Sequence, residues 1–123
     1  MAEGLARKIL RDKAKVESAG LMPVFGSAAP DAVAVLKELF DVDISQHRPK
    51  DIAELRLDVY DCIIVLDTYV YNTLSKLRKD NSENFVLWDT EDPFAQGRET
   101  YERVAKWLNA HLMKHLIPLL FGR

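Results

Sequence analysis

The sequence is short of cysteine, of long apolar runs and of any surplus of one charge, and each shortage closes off a class of function. A single cysteine, Cys62, stands among 123 residues. One thiol forms no internal disulfide and no thiolate zinc site of the usual kind. A reducing, cytoplasmic setting is the expectation. The longest apolar stretch, Ile117 to Phe121, is far too short to span a bilayer. The first residues mix Glu3 and Asp12 with basic side chains and lack an apolar core, so no signal peptide is expected. Lys and Arg number 17 against 19 Asp and Glu, a net charge of -2, and no basic stripe emerges. That leaves no electrostatic case for nucleic acid or for a membrane surface. Repeats and low-complexity segments are missing too. The length fits one domain over residues 1–123, large enough to bury a core without staples.

What is present alternates between two periodicities. Ala2, Leu5, Ala6, Ile9 and Leu10 fall on one face at the 3.6-residue period, which predicts a helix over 2–13 with Gly4 as a weak spot. That helix has no capping residue before it. Val16 to Ala19 is a strand candidate closed by Gly20, and 22–29 reads as a loop with Pro23, Gly26 and Ser27 as breakers. Pro30 suits a first helical position, and the helix runs to Phe40. A polar connection follows to Lys50, then a short helix over 51–57. Cys62 to Leu66 is continuously apolar between Asp61 and Asp67, as expected of a strand inside a parallel sheet, covered on both faces. A helix over 69–77, a polar stretch over 78–84, a strand over 85–88 and a loop over 89–97 come next. From Arg98 to about Leu116 a long helix aligns Tyr101, Val104, Ala105, Leu108, Leu112 and Leu116, and Pro118 should end or kink it. The alternation predicts an α/β fold with an open parallel sheet and right-handed crossovers.

Five segments, in order, carry a resemblance. They are Met1-Ala2-Glu3-Gly4-Leu5-Ala6, Val16-Glu17-Ser18-Ala19-Gly20, Val42-Asp43-Ile44-Ser45-Gln46-His47-Arg48, the strand Asp58 to Asp67, and Trp88-Asp89-Thr90-Glu91-Asp92-Pro93-Phe94. Together they resemble the low-molecular-weight tyrosine phosphatase superfamily, which includes arsenate reductases. The Trp88 and Glu91-Asp92-Pro93-Phe94 variant leans toward the reductases. The lack of the resolving cysteines that thioredoxin-linked reductases use leans the other way. The resemblance implies a three-layer open parallel sheet with strand order 2-1-3-4. It also implies a Cys-x5-Arg phosphate loop between the first strand and the first helix, where Met-Ala-Glu follows the loop directly. No Cys-x5-Arg occurs in these residues, since Thr68 stands six residues after Cys62. The expectation is therefore a fold missing its first, central strand and its nucleophile.

The chemistry implied by the resemblance needs a thiolate activated at a helix N-terminus, fixed donors for the anion, and an acid for the leaving oxygen. Asp92 is the residue carried over as general acid, on a loop stiffened by Pro93. By itself Asp-Pro reads as a turn before the last helix. Cys62, inside an apolar strand, reads as an inert core thiol. His47 and Arg48 are candidates for anion binding against a plain reading as a hydrogen-bonded loop pair. His111 and His115 are spaced i, i+4 and could ligate a metal, but no carboxylate or third ligand joins them, so they read as an exposed pair. Tyr69 and Tyr71 read as helix surface and packing rather than as modified or substrate-facing groups. Trp88 reads as core or as the wall of a cleft. The Met1 amino group, at the positive end of the first helix, would give a shallow, exposed phosphate or sulfate site. No cofactor or metal is implied.

Loss of a central strand leaves backbone groups without partners. Three compensations are open: direct pairing of the flanking strands, a homodimer across the gap, or the tail Ile117–Phe121 folded over it, with the dimer ranked first. Two functions follow: a non-catalytic homologue that binds or assembles, or an enzyme whose nucleophile lies ahead of Met1. A third reading is a response-regulator-like signalling module, which would need acidic residues clustered near Asp61 and Asp67.

Overall fold

The computed structural model describes residues 1–20, 28–77, 85–94 and 96–121. Four helices and two short strands alternate along it: α1 (Ala2–Leu10), α2 (Pro30–Phe40), β1 (Ile63–Val65), α3 (Thr68–Leu77), β2 (Phe85–Leu87) and α4 (Arg98–Phe121). Two 3-10 turns, Ile52–Glu54 and Leu57–Val59, stand where the short helix over 51–57 was expected. The fold is α/β with a small parallel sheet. β1 and β2 pair in register from Ile63 with Phe85 to Val65 with Leu87.

The core sits between the helices. Leu5, Ala6 and Leu10 of α1, Ala32, Val35 and Leu36 of α2, and Tyr101, Val104, Ala105, Leu108, Leu112 and Leu116 of α4 form one buried cluster with Ile44. These are the apolar stripes that the 3.6-residue period marks, and α4 packs on both α1 and α2. Ile64, Leu66 and Trp88 reach into the same core from the sheet. Local chemistry fixes the ends of α2. Pro30 opens it at a position where a missing N–H costs nothing. Asp41, in the left-handed region at φ 54°, closes it by donating its N–H to the Lys37 carbonyl, while Val42 N–H donates to that of Leu36. Gly4 also has a packing reason. A Cβ there would lie 2.6 Å from Ile44 Cγ2, so only glycine lets the 42–44 segment lie against the first turn of α1.

Three expectations need correction. Val16 to Ala19 is not a strand; the segment makes one parallel bridge, Gly20 to Asp51, and is otherwise held by side chains. The direct pairing of flanking strands is therefore not formed among the described residues. β1 has neighbours on both faces, with Ile64 packed on the helix core and the buried Val65 on the opposite face, while Ile63 is half-buried. α1 stops at Leu10 rather than Lys13, where Arg11 takes φ 52°. Pro118 does not end α4, which runs on to Phe121. Proline forfeits one intrahelical hydrogen bond but keeps a helical φ, and Leu116, Ile117 and Leu120 hold the last turns on the core. The expected tail is thus the end of α4. The polar stretch at 78–84 and most of the loop at 22–29 lie outside the described residues.

Candidate active site

The loop that carries Asp92 leaves the carboxyl end of β2, the end of a parallel sheet where α/β proteins place their ligands. Its first residues extend the strand pairing: Trp88 N–H donates to Val65 O at 2.8 Å and Thr90 N–H to Leu66 O at 2.8 Å. Beyond Thr90 side chains take over. Glu91 receives both the Nη2 and Nε of Arg103 on α4, with a shortest distance of 2.8 Å. Asp92 Oδ1 accepts the N–H of Phe94 at 3.0 Å, and Gln96 N–H donates to Pro93 O at 2.9 Å. Gly97, at φ 88°, turns the chain into α4.

Asp92 is exposed, with one carboxylate oxygen engaged by its own loop. Its negative charge acts on Tyr101 of α4. Burial first, then the negative charges of Asp31 and Asp92, push the Tyr101 phenol above its ordinary value. Asp31, at the start of α2, and Tyr101, on the core face of α4, thus share the electrostatic surroundings of Asp92. Neither was singled out from sequence, where Tyr101 reads only as a core position. The Glu91–Arg103 clamp was also missed, since a twelve-residue separation across a loop follows no helical or strand period.

The lone thiol is elsewhere. Cys62 precedes β1, at the amino end of the sheet, while Asp92 lies beyond the carboxyl end. The thiol is half-buried, and burial, then Asp61, pushes its pKa up, away from thiolate.

A model of the family described as low molecular weight phosphotyrosine protein phosphatase matches residues 1–119. The chain belongs to that family. Among solved structures, the family's enzyme from T. tengcongensis superposes with a TM-score of 0.81 at 26% identity, over 94% of this chain and 86% of that one. An arsenate reductase in its oxidized state gives 0.82 at 27% identity, over 96% and 86%. An arsenate reductase in the phosphate-binding state gives 0.73 at 25%, over 97% and 86%. No match was found among curated proteins. Membership in this family replaces the response-regulator reading. No cluster of three or more His, Cys, Asp or Glu suited to a metal ion forms among the described residues. Asp67 instead accepts the N–H of Val70 at the start of α3, at 3.0 Å.

The remaining candidates fall into place around this family fold. His47 Nδ1 lies 3.6 Å from Glu3 Oε2 on α1, and Arg48 donates to the carbonyl of His47, so the pair is held by its own loop and α1. Tyr69 is on the surface, 73% exposed, and Tyr71 stacks on Phe85 at 4.9 Å. Met1 packs against the core, and burial pushes its amino group below the ordinary value. Trp88 combines its two readings: it packs on the core and lines a pocket with His111, His115, Pro118 and Leu119. His115 is exposed, as expected, but His111 is half-buried. Among the described residues no helix is long and apolar enough to cross a membrane.

Proposed function

We propose that residues 1–123 are the acid-bearing scaffold of a low-molecular-weight phosphatase, with Asp92 as proton donor to the leaving oxygen, and that these residues alone turn over neither phosphate esters nor arsenate. The reading rests on one spatial relation. Asp92 stands exposed beyond the carboxyl end of the sheet, on a loop tied at Trp88, Thr90 and Glu91, whereas Cys62 lies half-buried at the opposite end. A positioned acid without a thiolate in reach can donate a proton but cannot form a phosphoenzyme. Of the family's two activities, phosphate-ester hydrolysis is the one this chain's chemistry favours. Thioredoxin-linked reduction of arsenate uses resolving cysteines, and none accompanies Cys62 in these residues.

The test supplies what is absent. Residues 1–123 alone should leave an aryl phosphate intact. Joined behind a strand and a Cys-x5-Arg loop from a family member, they should hydrolyse it, and Asp92→Asn should then lower kcat by about 10²-fold or more for a poor leaving group. Hydrolysis by residues 1–123 alone that survives Cys62→Ser would sink the inactive reading. A grafted enzyme indifferent to Asp92→Asn would sink the acid assignment.

Three further readings accompany this one. The unpaired thiol fits a cytoplasmic setting. Self-association through the sheet edge is the proposed assembly, since β1 pairs only with β2 among the described residues. A well-folded monomer in light scattering would remove it. Weak phosphate or sulfate affinity at the start of α1 would come from backbone N–H groups, because the amino group there is desolvated.

A further inference from the structure

His111 and His115 form a feature that the phosphatase reading does not use. They lie one turn apart on α4, and their ring centres are 4.4 Å apart. Two imidazoles bound cis to one metal ion at about 2.0–2.1 Å place their ring centres roughly 4.5 Å apart. Ring centres this close put both side chains within reach of one ion by side-chain rotation, without rearrangement of the helix. His–His pairs at i, i+4 are the arrangement by which a single helix offers two nitrogens to one ion.

The surroundings hold one ring in place and leave the other accessible. His111 is stacked on Trp107 at 4.6 Å and 12°, and meets Trp88 edge to face at 4.6 Å and 79°. Orienting contacts of this kind reduce the freedom lost when a ligand binds. His115 is exposed at the mouth of the pocket completed by Pro118 and Leu119. Water can therefore fill the coordination positions that the protein leaves open.

We propose that His111 and His115 chelate one divalent late transition-metal ion, in the order copper(II), nickel(II), zinc(II). Imidazole nitrogen suits all three, and copper(II) heads the affinity series for such donors. Because both nitrogens stand on one helix, the second bond forms intramolecularly at high effective concentration. The site is separate from Asp92. Trp88 and Asp92 belong to the same loop region, but Glu91 already reaches Arg103, two turns of α4 nearer its start than His111.

Copper(II) titration of the full chain, free of any affinity tag, tests the site with the metal alone. Trp88 and Trp107 report directly, since copper held by His111 quenches nearby indole fluorescence. Saturable quenching at one equivalent is expected, with a paramagnetic resonance spectrum showing two equatorial nitrogens. His115→Ala removes an exposed ring and should weaken binding by about tenfold or more, with helix content unchanged by circular dichroism. His111→Asn should do the same, and His47→Ala should change nothing. Equal affinity in His115→Ala, or no saturable binding by about 0.1 mM copper, overturns the proposal.

Discussion

The helix layer and the segment that crosses it are held by different physics. α1, α2 and α4 bury a continuous apolar cluster in which Leu5, Val35, Leu36 and Ala105 are fully enclosed. The chain from Lys15 to Gly20 and its neighbours from His47 to Tyr60 contribute no buried residue and are joined by polar ties. Arg7 donates to Val16 O at 2.9 Å, Ser18 Oγ to Glu3 at 2.7 Å, and the Tyr60 hydroxyl to Glu17. Lys50 and Lys15 flank the same Glu17 carboxylate. The first region is specified by period, the second by particular partners far apart in sequence. The first should fail by cavity formation and be indifferent to pH. The second should respond to pH and to removal of single polar atoms.

The largest expected effect lies in the helix layer. Leu36→Ala or Leu5→Ala empties a fully buried site and should cost about 2–5 kcal/mol in urea unfolding. A loss below about 1 kcal/mol would mean that the layer repacks and the contrast is wrong. Gly4→Ala comes next, at the seam between the regions. Alanine favours the helix, but its Cβ meets Ile44 and Val42, so a net loss of about 1–3 kcal/mol is expected. A gain in stability would show that the 42–44 segment moves freely.

The pH experiment separates the two regions. The Tyr60 hydroxyl, then Lys50 and Lys15, hold the Glu17 carboxyl below its ordinary value of 4.5 against the effect of burial. A lowered value in the folded state means that the stabilisation is complete above about 4.5 and is lost as pH falls through the folded-state value. Tyr60→Phe should flatten the fall in urea midpoint over that acidic window. Leu36→Ala should keep the native slope while lowering the whole curve. Identical slopes in the native chain and in Tyr60→Phe would remove Glu17 as the pH-sensitive tie. The smallest effect belongs to Asp92→Asn. Its side chain is exposed, and asparagine can still accept the Phe94 N–H, so the melting temperature should move by no more than a degree or two. A larger shift would make Asp92 a structural residue and weaken the acid role proposed for it.

The same contrast explains what could be read from the sequence. All six expected core positions of α4, from Tyr101 to Leu116, are buried, because a helical stripe repeats the same information at every turn. Asp92 is singled out because Trp88 to Phe94 resembles the family's acid loop, and the structure shows only that this loop leaves the carboxyl end of β2. Val16 to Ala19 was misread because four residues of mild strand character cannot say whether a neighbour is within reach. Cys62 to Leu66 reads as an inner strand because it is continuously apolar, and β1 does have neighbours on both faces. The influence of Asp31 and Asp92 on Tyr101, and the Glu91–Arg103 clamp, left no local trace.

The sequence by itself determined the helices, their buried faces, the α/β order and the family, since each rests on local periodicity or on motifs within a few residues. It also determined that one thiol is present and that no Cys-x5-Arg accompanies it. Only the tertiary structure decided where that thiol lies relative to Asp92, that Gly4 is required by a neighbouring loop, and that His111 and His115 meet Trp88 and Trp107 in one cluster. Those are relations between segments separated by tens of residues. They are set by how the apolar faces pack, and no local pattern in the chain encodes a distance across that packing.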